Sequence, residues 1–350
     1  MRVLIIKTSS LGDLVHMLPA LHDAARRLDD LQIDWVVEDP FAAIPRWHPQ
    51  VDRVIPVALR RWRKRLGNRQ TWREIARFKA QLGERSYAAI IDSQGLYKSA
   101  ILASWARGPR FGYDRRSARE PLAALTYHQT VHILPSLHAI ERNRRLLAAA
   151  LDYRHEDLAL DYGIMAMRAS LALPSGELPR RYVVGLHGTS RRVKEWPESS
   201  WRGLGARLES QGLALVLPWG SPEERERARR IALAQSSIYV LPELDLDTLA
   251  AILVHAVAVV GVDTGLMHVA AALGCPGLAL YTATDPARTG VIAAPHNAPI
   301  HSLTADDTLN VEAVWQRLEP LVAINPARRP LRNISGTCNS KVLCRSDGID

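Results

Sequence analysis

Residues 259–274, which read VVGVDTGLMHVAAALG, constrain the fold of this chain most. A β-branched apolar run ends at Gly261, a short polar turn carries Asp263 and Thr264, and small residues then continue to Gly274. This order predicts a buried strand, a tight loop and the start of a helix. In an open α/β sheet, ligands bind beside the carboxyl ends of such strands.

The turn admits two interpretations. The amides of Gly265 and Leu266 would be free at the helix N-terminus, where the helix dipole favours a phosphate. Alternatively, Asp263 or Thr264 simply caps an ordinary βα turn. This stretch alone favours neither, so the rest of the chain must decide between them.

Strand and helix patterns alternate along the chain in two successive sets. A first strand at residues 2–7 is followed by a predicted helix from about Asp13 to Leu28. Such alternation predicts an α/β fold with parallel sheets and helices on both faces. We predict an N-terminal Rossmann-like domain over 1–160, a C-terminal Rossmann-like domain over 180–310, a helix over 311–325, and a poorly ordered tail over 326–350.

The composition narrows the class of protein. The 350 residues carry a formal net charge of +9, which indicates an anionic partner such as a phosphorylated substrate, a phospholipid surface or nucleic acid. The three cysteines show no CxxC spacing, so we expect neither a disulfide framework nor a zinc site. No apolar stretch is long enough to predict a membrane span or a signal peptide, and we expect a cytoplasmic protein.

Basic residues are concentrated in the first half. Residues 60–65 read RRWRKR, and a second cluster follows at 115–119. A solvated charge run is the ordinary interpretation of such a segment. This run, however, carries Trp62 and follows a predicted strand, where connections often hold binding groups.

Four motifs together resemble the ADP-heptose:lipopolysaccharide heptosyltransferases. They are KTSSLGD at 7–13, HGTS at 187–190 with Lys194 and WP at 196–197, LPWG at 217–220, and VDTGLMH at 262–268. Their order and spacing match the family over about residues 1–323. The resemblance implies a GT-B fold, in which two Rossmann-like domains face across a cleft, and an inverting, metal-independent transfer without a cofactor.

The resemblance implies that Asp13 is the general base. It would take the proton from the acceptor hydroxyl, which then attacks the anomeric carbon opposite the leaving ADP. A carboxylate in the first turn of a helix also interacts favourably with the helix dipole, which is the alternative role for Asp13.

The same resemblance places ADP-heptose in the C-terminal half. Thr189, Ser190 and Lys194 would hold the diphosphate, with the amides of Gly265 and Leu266. Asp263 would accept bonds from sugar hydroxyls. The predicted donor site comprises Thr189, Ser190, Lys194, Glu224, Asp263, Thr264, Gly265, Leu266 and His268. Glu224 would hold the adenosine ribose or be a solvated helix residue, and His268 would reach a phosphate or simply pack.

The segments RRWRKR at 60–65 and AREP at 118–121 resemble those of the family member that adds the first heptose to Kdo2-lipid A. The implied acceptor-binding residues are Arg60, Arg61, Arg63, Lys64 and Arg119. They would meet the Kdo carboxylates and lipid A phosphates, since Arg suits bidentate anion binding. Trp62 and the positive charge would favour peripheral contact with the anionic cytoplasmic face of the inner membrane.

Other classes of function remain open. A family member acting at a later core position would share these motifs, and a non-catalytic nucleotide-sugar-binding protein would not need Asp13. A nucleic-acid binder is suggested by charge alone and no recognisable module supports it, so we expect no nucleic-acid partner. An NAD-dependent oxidoreductase is disfavoured because no G-x-G-x-x-G follows the first strand.

Overall fold

A computed structural model describes residues 1–173, 178–233, 235–307 and 309–324. The predicted tail at 326–350, with Cys338 and Cys344, lies outside the described residues, as does part of the predicted domain boundary. Within the described ranges, the strands form two six-stranded sheets whose neighbours are all parallel. The predicted α/β architecture is confirmed.

The first sheet has the order β3-β2-β1-β4-β5-β6. Its strands are β1 (Arg2–Ile6), β2 (Gln32–Glu38), β3 (Val51–Val57), β4 (Ala89–Asp92), β5 (Arg110–Tyr113) and β6 (Gln129–Val131). The helices of this half are α1 (Leu11–Val15), α2 (Leu18–Arg27), α3 (Ala43–Arg46), α4 (Leu59–Lys64), α5 (Arg69–Gly83), α6 (Tyr97–Ser104) and α7 (Ala139–Leu151), with 3₁₀ turns at Asp39–Phe41 and Pro121–Thr126.

The second sheet has the order β12-β11-β10-β7-β8-β9. Its strands are β7 (Tyr182–Leu186), β8 (Ala214–Leu217), β9 (Ile238–Val240), β10 (Ala258–Val262), β11 (Gly277–Tyr281) and β12 (Ile300–Thr304). Its helices are α8 (Met165–Ser170), α9 (Glu198–Glu209), α10 (Pro222–Ala232), α11 (Leu246–His255), α12 (Gly265–Ala272) and α13 (Val311–Ile324), with 3₁₀ turns at Arg192–Lys194 and Ala305–Asp307. The two sheets fall within the two predicted domains, while the boundary between 160 and 180 stays a prediction.

Burial on both faces explains the continuous apolar strands. In β1, Val3 and Ile5 enter one core cluster, whereas Leu4 and Ile6 enter another on the opposite face. Parallel sheets covered by helices on both faces require such runs.

One feature of the fold differs from the predictions. The helix predicted from Asp13 to Leu28 is two helices, because Pro19, in the first turn of α2, supplies no amide to continue α1. Strands β5, β6 and β12 lack the continuous apolar run that predicts a buried strand at residues 2–7. They are short and carry polar residues, so their periodicity is weak.

Candidate functional site

Each sheet reverses its direction of winding at one point, and the chemistry-bearing loops lie there. In the first sheet the reversal lies between β1 and β4, and in the second between β7 and β10. Ligands bind at such switch points, beside the carboxyl ends of the strands. Helix α1 of the first half packs against α12 of the second, so the two switch points face each other.

Asp13 lies at the first switch point, half-buried in α1. Its Oδ2 accepts hydrogen bonds from the Ser10 amide at 2.9 Å and the Ser10 hydroxyl at 3.1 Å, which forms a capping box. The carboxylate also lines a cavity of about 360 Å³. Asp13 therefore caps its helix and faces a space that a substrate can enter.

The pKa of Asp13 is lowered from its ordinary value. Burial acts to raise it, but the Lys7 ammonium, the Ser10 amide and the Arg119 charge together outweigh that effect. Lys7 is itself buried, and its Nζ donates to the Ser93 carbonyl at 2.8 Å across the β1–β4 switch point. Burial lowers the pKa of Lys7, although Asp13 and Asp92 oppose that effect. Asp13 is therefore ionised at neutral pH.

The cavity beside Asp13 is strongly basic and takes residues from both halves. Its lining includes Lys7, Arg119, Arg142 and Arg288 together with Asp285. Sequence reasoning missed Lys7, Arg142 and Arg288 as site residues. Only Lys7, within the first motif, carried any signal. A wider hollow of about 520 Å³ lies at the amino-terminal edge of the first sheet, away from the switch points.

Arg288 also ties the two halves together at this cavity. Its Nη2 donates to the Pro135 carbonyl at 2.8 Å, and its own carbonyl accepts from the Ala139 amide at 2.9 Å. Nearby, His138 Nε2 lies 3.0 Å from the Gly290 carbonyl oxygen. The loop after β11 is thus held against the start of α7, and it closes one side of the cavity.

The predicted donor residues meet at the second switch point. Lys194 Nζ lies 2.6 Å from Asp263 Oδ2, and the Thr284 hydroxyl donates to the same oxygen at 2.8 Å. The Thr189 hydroxyl donates to the Asp263 carbonyl at 3.0 Å, which joins the loops after β7 and β10. Ser190 is exposed at the end of the same loop.

Helix α12 begins directly after this cluster. Thr264 is the N-cap residue of α12, and its side chain makes no capping hydrogen bond. Gly265 and Leu266 are the first two residues of the helix. The first amides of a helix have no partner within the helix and suit an anion. The predicted phosphate site and the predicted helix cap therefore both lie at the N-terminus of α12, where Thr264 is half-buried.

Glu224 lies beside the loops that follow β7 and β8. It is half-buried, and its Oε2 accepts from the Gly220 amide at 2.7 Å. Gly188 makes room for it, because a β-carbon there would lie 2.4 Å from Glu224 Oε1. The carboxylate therefore lies at the carboxyl edge of the second sheet, and its contact with the adenosine ribose stays a prediction.

His268 packs in the structure. It is buried, and its Nδ1 lies 3.0 Å from His16 Nε2 of the first half. Burial lowers the pKa of His268 to about 4, and burial also lowers the pKa of His16 well below its ordinary value. Both rings are therefore neutral at pH 7 and join the two halves.

The structure separates the predicted acceptor residues. Arg119 lies at the cavity and lowers the pKa of Asp13. Helix α4, which carries Arg60, Arg61, Arg63 and Lys64, follows β3, and β2 separates that strand from β1. Among the described residues that line the cavity, none comes from α4.

Trp62 does not face solvent, contrary to the role expected for it at a membrane. It is buried against Phe78, with ring centroids 5.7 Å apart, and its Nε1 donates to Glu74 Oε2 at 2.8 Å. Trp62 is buried in a core cluster of the first half and packs α4 against it.

Across residues 1–173, 178–233, 235–307 and 309–324, no group of three or more His, Cys, Asp or Glu side chains is arranged to hold a metal ion. Within the same ranges, no helix is both long and apolar enough to cross a membrane.

The chain is similar in sequence to known heptosyltransferases. The family whose model matches residues 75–313 is described as glycosyltransferase family 9 (heptosyltransferase). Lipopolysaccharide heptosyltransferase 1 of Pseudomonas aeruginosa is 50% identical over 291 residues, which are 83% of this chain and 81% of that protein. The protein of the same name from Escherichia coli K12 is 44% identical over 92% of this chain and its own full length.

A solved structure resembles the whole fold. E. coli heptosyltransferase WaaC with ADP superposes with a TM-score of 0.84 at 43% identity, covering 92% of this chain and 100% of that chain. This likeness confirms the predicted GT-B fold.

Proposed function

The chain belongs to glycosyltransferase family 9, the heptosyltransferases, and we propose that it transfers heptose from ADP-L-glycero-β-D-manno-heptose to a Kdo residue of Kdo2-lipid A during assembly of the lipopolysaccharide inner core. The observation that carries this proposal is the packing of α1 on α12. It brings the helix that bears Asp13 onto the helix whose N-terminus completes the donor site. Both substrates therefore meet at one junction.

Asp13 accepts the proton in the proposed reaction. The acceptor hydroxyl attacks the anomeric carbon, a new C–O bond forms, and the bond between that carbon and the phosphate oxygen breaks. ADP leaves with the bonding electrons, and the configuration inverts. Basic residues of the cavity, among them Lys7 and Arg119, would hold the acceptor carboxylates.

Lys194 and the N-terminus of α12 would offset the charge that grows on departing ADP, so we propose that no metal or other cofactor is needed. Asp263 holds Lys194 through Oδ2, and we assign the other carboxylate oxygen to a sugar hydroxyl. Glu224 would bind the adenosine ribose between the loops that follow β7 and β8. The protein would act at the cytoplasmic face of the inner membrane, where its lipid acceptor is anchored.

The test is transfer from ADP-heptose to Kdo2-lipid A, in buffer with EDTA and without it. Wild type should form one product heptoside in both, whereas Asp13→Asn should bind ADP normally and lose ~10²–10⁴ of its rate. Asp13→Glu is the matched control that keeps a carboxylate. Normal turnover by Asp13→Asn would remove Asp13 from the mechanism, and activity restored only by Mg²⁺ or Mn²⁺ would contradict the metal-free transfer.

A further inference from the structure

A dense basic surface covers α4, the turn after it and the first turn of α5. Residues 60–73 carry seven lysines and arginines and no Asp or Glu. Arg61 pairs with Glu74 at 2.8 Å, whereas Arg63, Arg65 and Arg73 are exposed. The cations that Glu74 does not neutralise face solvent, and none of them is among the described residues that line the cavity beside Asp13.

Two large apolar side chains lie within this charge. Trp72 is 57% exposed and Leu66 is 51% exposed. The Trp72 Nε1 donates to the Leu66 carbonyl at 2.7 Å, so the indole is fixed over the turn that joins the two helices. Tryptophan is enriched at membrane interfaces because its ring is apolar and its N–H is polar, and the arginines around Trp72 would attract anionic headgroups.

Helix α5 orients these groups. Its Thr71, Phe78 and Leu82 are buried, and they share one face by their spacing. Arg69, Trp72 and Arg73, at spacings of three and four, share the opposite face. The tryptophan and its neighbouring cations therefore point the same way, out of the protein.

We propose that Leu66, Trp72 and the exposed cations of residues 63–73 form the surface by which this protein docks on an anionic lipid bilayer. Charge complementarity favours an anionic bilayer, because residues 60–73 carry cations and no acidic side chain and would attract anionic headgroups. The apolar side chains among these cations would contact the acyl region below the headgroups. The inference rests on the proposed function, in which the acceptor is a lipid. It assigns the membrane contact to Trp72, since Trp62 is buried.

The test measures binding of the full chain to vesicles by sedimentation, without ADP-heptose or acceptor. Wild type should bind mixed phosphatidylcholine–phosphatidylglycerol vesicles and not pure phosphatidylcholine ones. Leu66→Ser with Trp72→Ser should weaken this binding roughly tenfold. A triple variant with Arg65→Gln, Arg69→Gln and Arg73→Gln should bind vesicles roughly a hundredfold more weakly, or about fivefold for each charge removed. Added salt should reduce the difference in affinity between wild type and this triple variant.

Leu122 and Leu125 provide a matched control. They are 60% and 65% exposed on the 3₁₀ turn Pro121–Thr126, outside the basic surface. Leu122→Ser with Leu125→Ser should bind vesicles as wild type does. Trp72→Phe should retain most binding because it keeps the apolar ring. Thermal unfolding of each variant checks that the fold is intact.

Two results would overturn the inference. The folded Leu66→Ser, Trp72→Ser variant could bind vesicles as tightly as wild type, or the Leu122→Ser, Leu125→Ser control could lose as much vesicle binding as that variant does. If wild type forms a concentration-dependent dimer and the Leu66→Ser, Trp72→Ser variant is a monomer, the surface binds a second copy of this chain instead. Transfer to a soluble, de-acylated Kdo2-lipid A backbone separates the two proposals. The Leu66→Ser, Trp72→Ser variant should transfer heptose to this soluble acceptor at the wild-type rate. If wild type itself fails in that assay, the proposed function is contradicted, while the vesicle-binding result is unaffected.

Discussion

Gly265 at the start of α12 lies directly against Leu11 at the start of α1, and a β-carbon on residue 265 would come within 2.8 Å of the Leu11 β-carbon. The contact is repeated in the other direction, where a β-carbon on Gly12 would lie 2.9 Å from His268 Cδ2. Two glycines thus let a helix of each half approach at the reaction site. The distance between Asp13 and the donor cradle depends on that approach.

Gly265→Ala should therefore separate the two helices. A methyl group at this position meets the backbone of Gly12 as well as Leu11, and overpacking of this kind costs about 1–3 kcal/mol. We expect a lower kcat and a lower Tm. Gly83→Ala is the control, because its β-carbon would meet nothing closer than 4.0 Å. Equal kinetics in the two variants would show that the close approach is not needed.

Lys7 should set the acid limb of the pH profile. The pKa of Asp13 lies below its ordinary value, so its ionised form is present at neutral pH and is lost only as the pH falls through that lowered pKa. Lys7→Gln removes the largest of the contributions that lower the pKa of Asp13, so that pKa should rise. The acid limb of kcat/KM should then move to higher pH, whereas Lys7→Arg should keep it in place. An unchanged limb in Lys7→Gln would separate Lys7 from the ionisation of Asp13.

The predictions from sequence succeeded where a local pattern carries the information. Strong periodicity and βα turns identified the central strands and the two successive α/β halves of the chain. The turn chemistry of Asp13, Thr189 and Asp263 placed each at the carboxyl end of a strand. The structure then brought two of them together, because Thr189 bonds to Asp263 across a switch point.

Long-range contacts explain what the sequence could not reveal. His16 meets His268 across 252 positions of the chain, and Arg288 reaches Pro135 across 153. No local pattern distinguishes such residues from ordinary surface cations or core histidines. Trp62 was misjudged for the same reason, since its burial depends on Phe78 and Glu74 of the following helix.

The buried histidine pair should make stability depend on pH. The pKa of His268 falls to about 4 on folding, so the unfolded chain binds the proton more readily between that value and the ordinary 6.5. Stability contributed by the neutral ring is present at neutral pH and is lost as the pH falls through this window. For His268 alone the loss should be about 2 kcal/mol between about pH 7 and about pH 5. Chemical denaturation of wild type and His268→Gln at both values measures it, and an identical pH dependence would contradict the assignment.

Lys194→Ala should weaken ADP binding. A charge-assisted hydrogen bond contributes about 1.5–3 kcal/mol, which corresponds to a Kd roughly ten- to a hundredfold higher. Arg192→Ala is a matched control, since it removes one exposed cation from the same 3₁₀ turn. Calorimetry with ADP compares the two variants. Equal affinities would place the diphosphate elsewhere.

The basic run of α4 and the donor site should be separable. Neutralising Arg60, Arg61 and Arg63 together should raise the KM for a soluble, de-acylated acceptor and leave the Kd for ADP unchanged, because these residues follow β3 of the first sheet. They are exposed, so the effect should shrink as salt rises, since charges in water are screened over ~8–10 Å.

Arg119→Ala is the informative comparison for that triple variant. Arg119 lines the cavity and acts on the pKa of Asp13, so its contact with an acceptor anion should be closer and less sensitive to salt. The salt dependence of KM therefore distinguishes a direct contact from a long-range attraction. If the triple variant loses ADP affinity while its acceptor KM stays constant, the run on α4 serves the donor site or the fold, and the division of roles between the two halves is wrong.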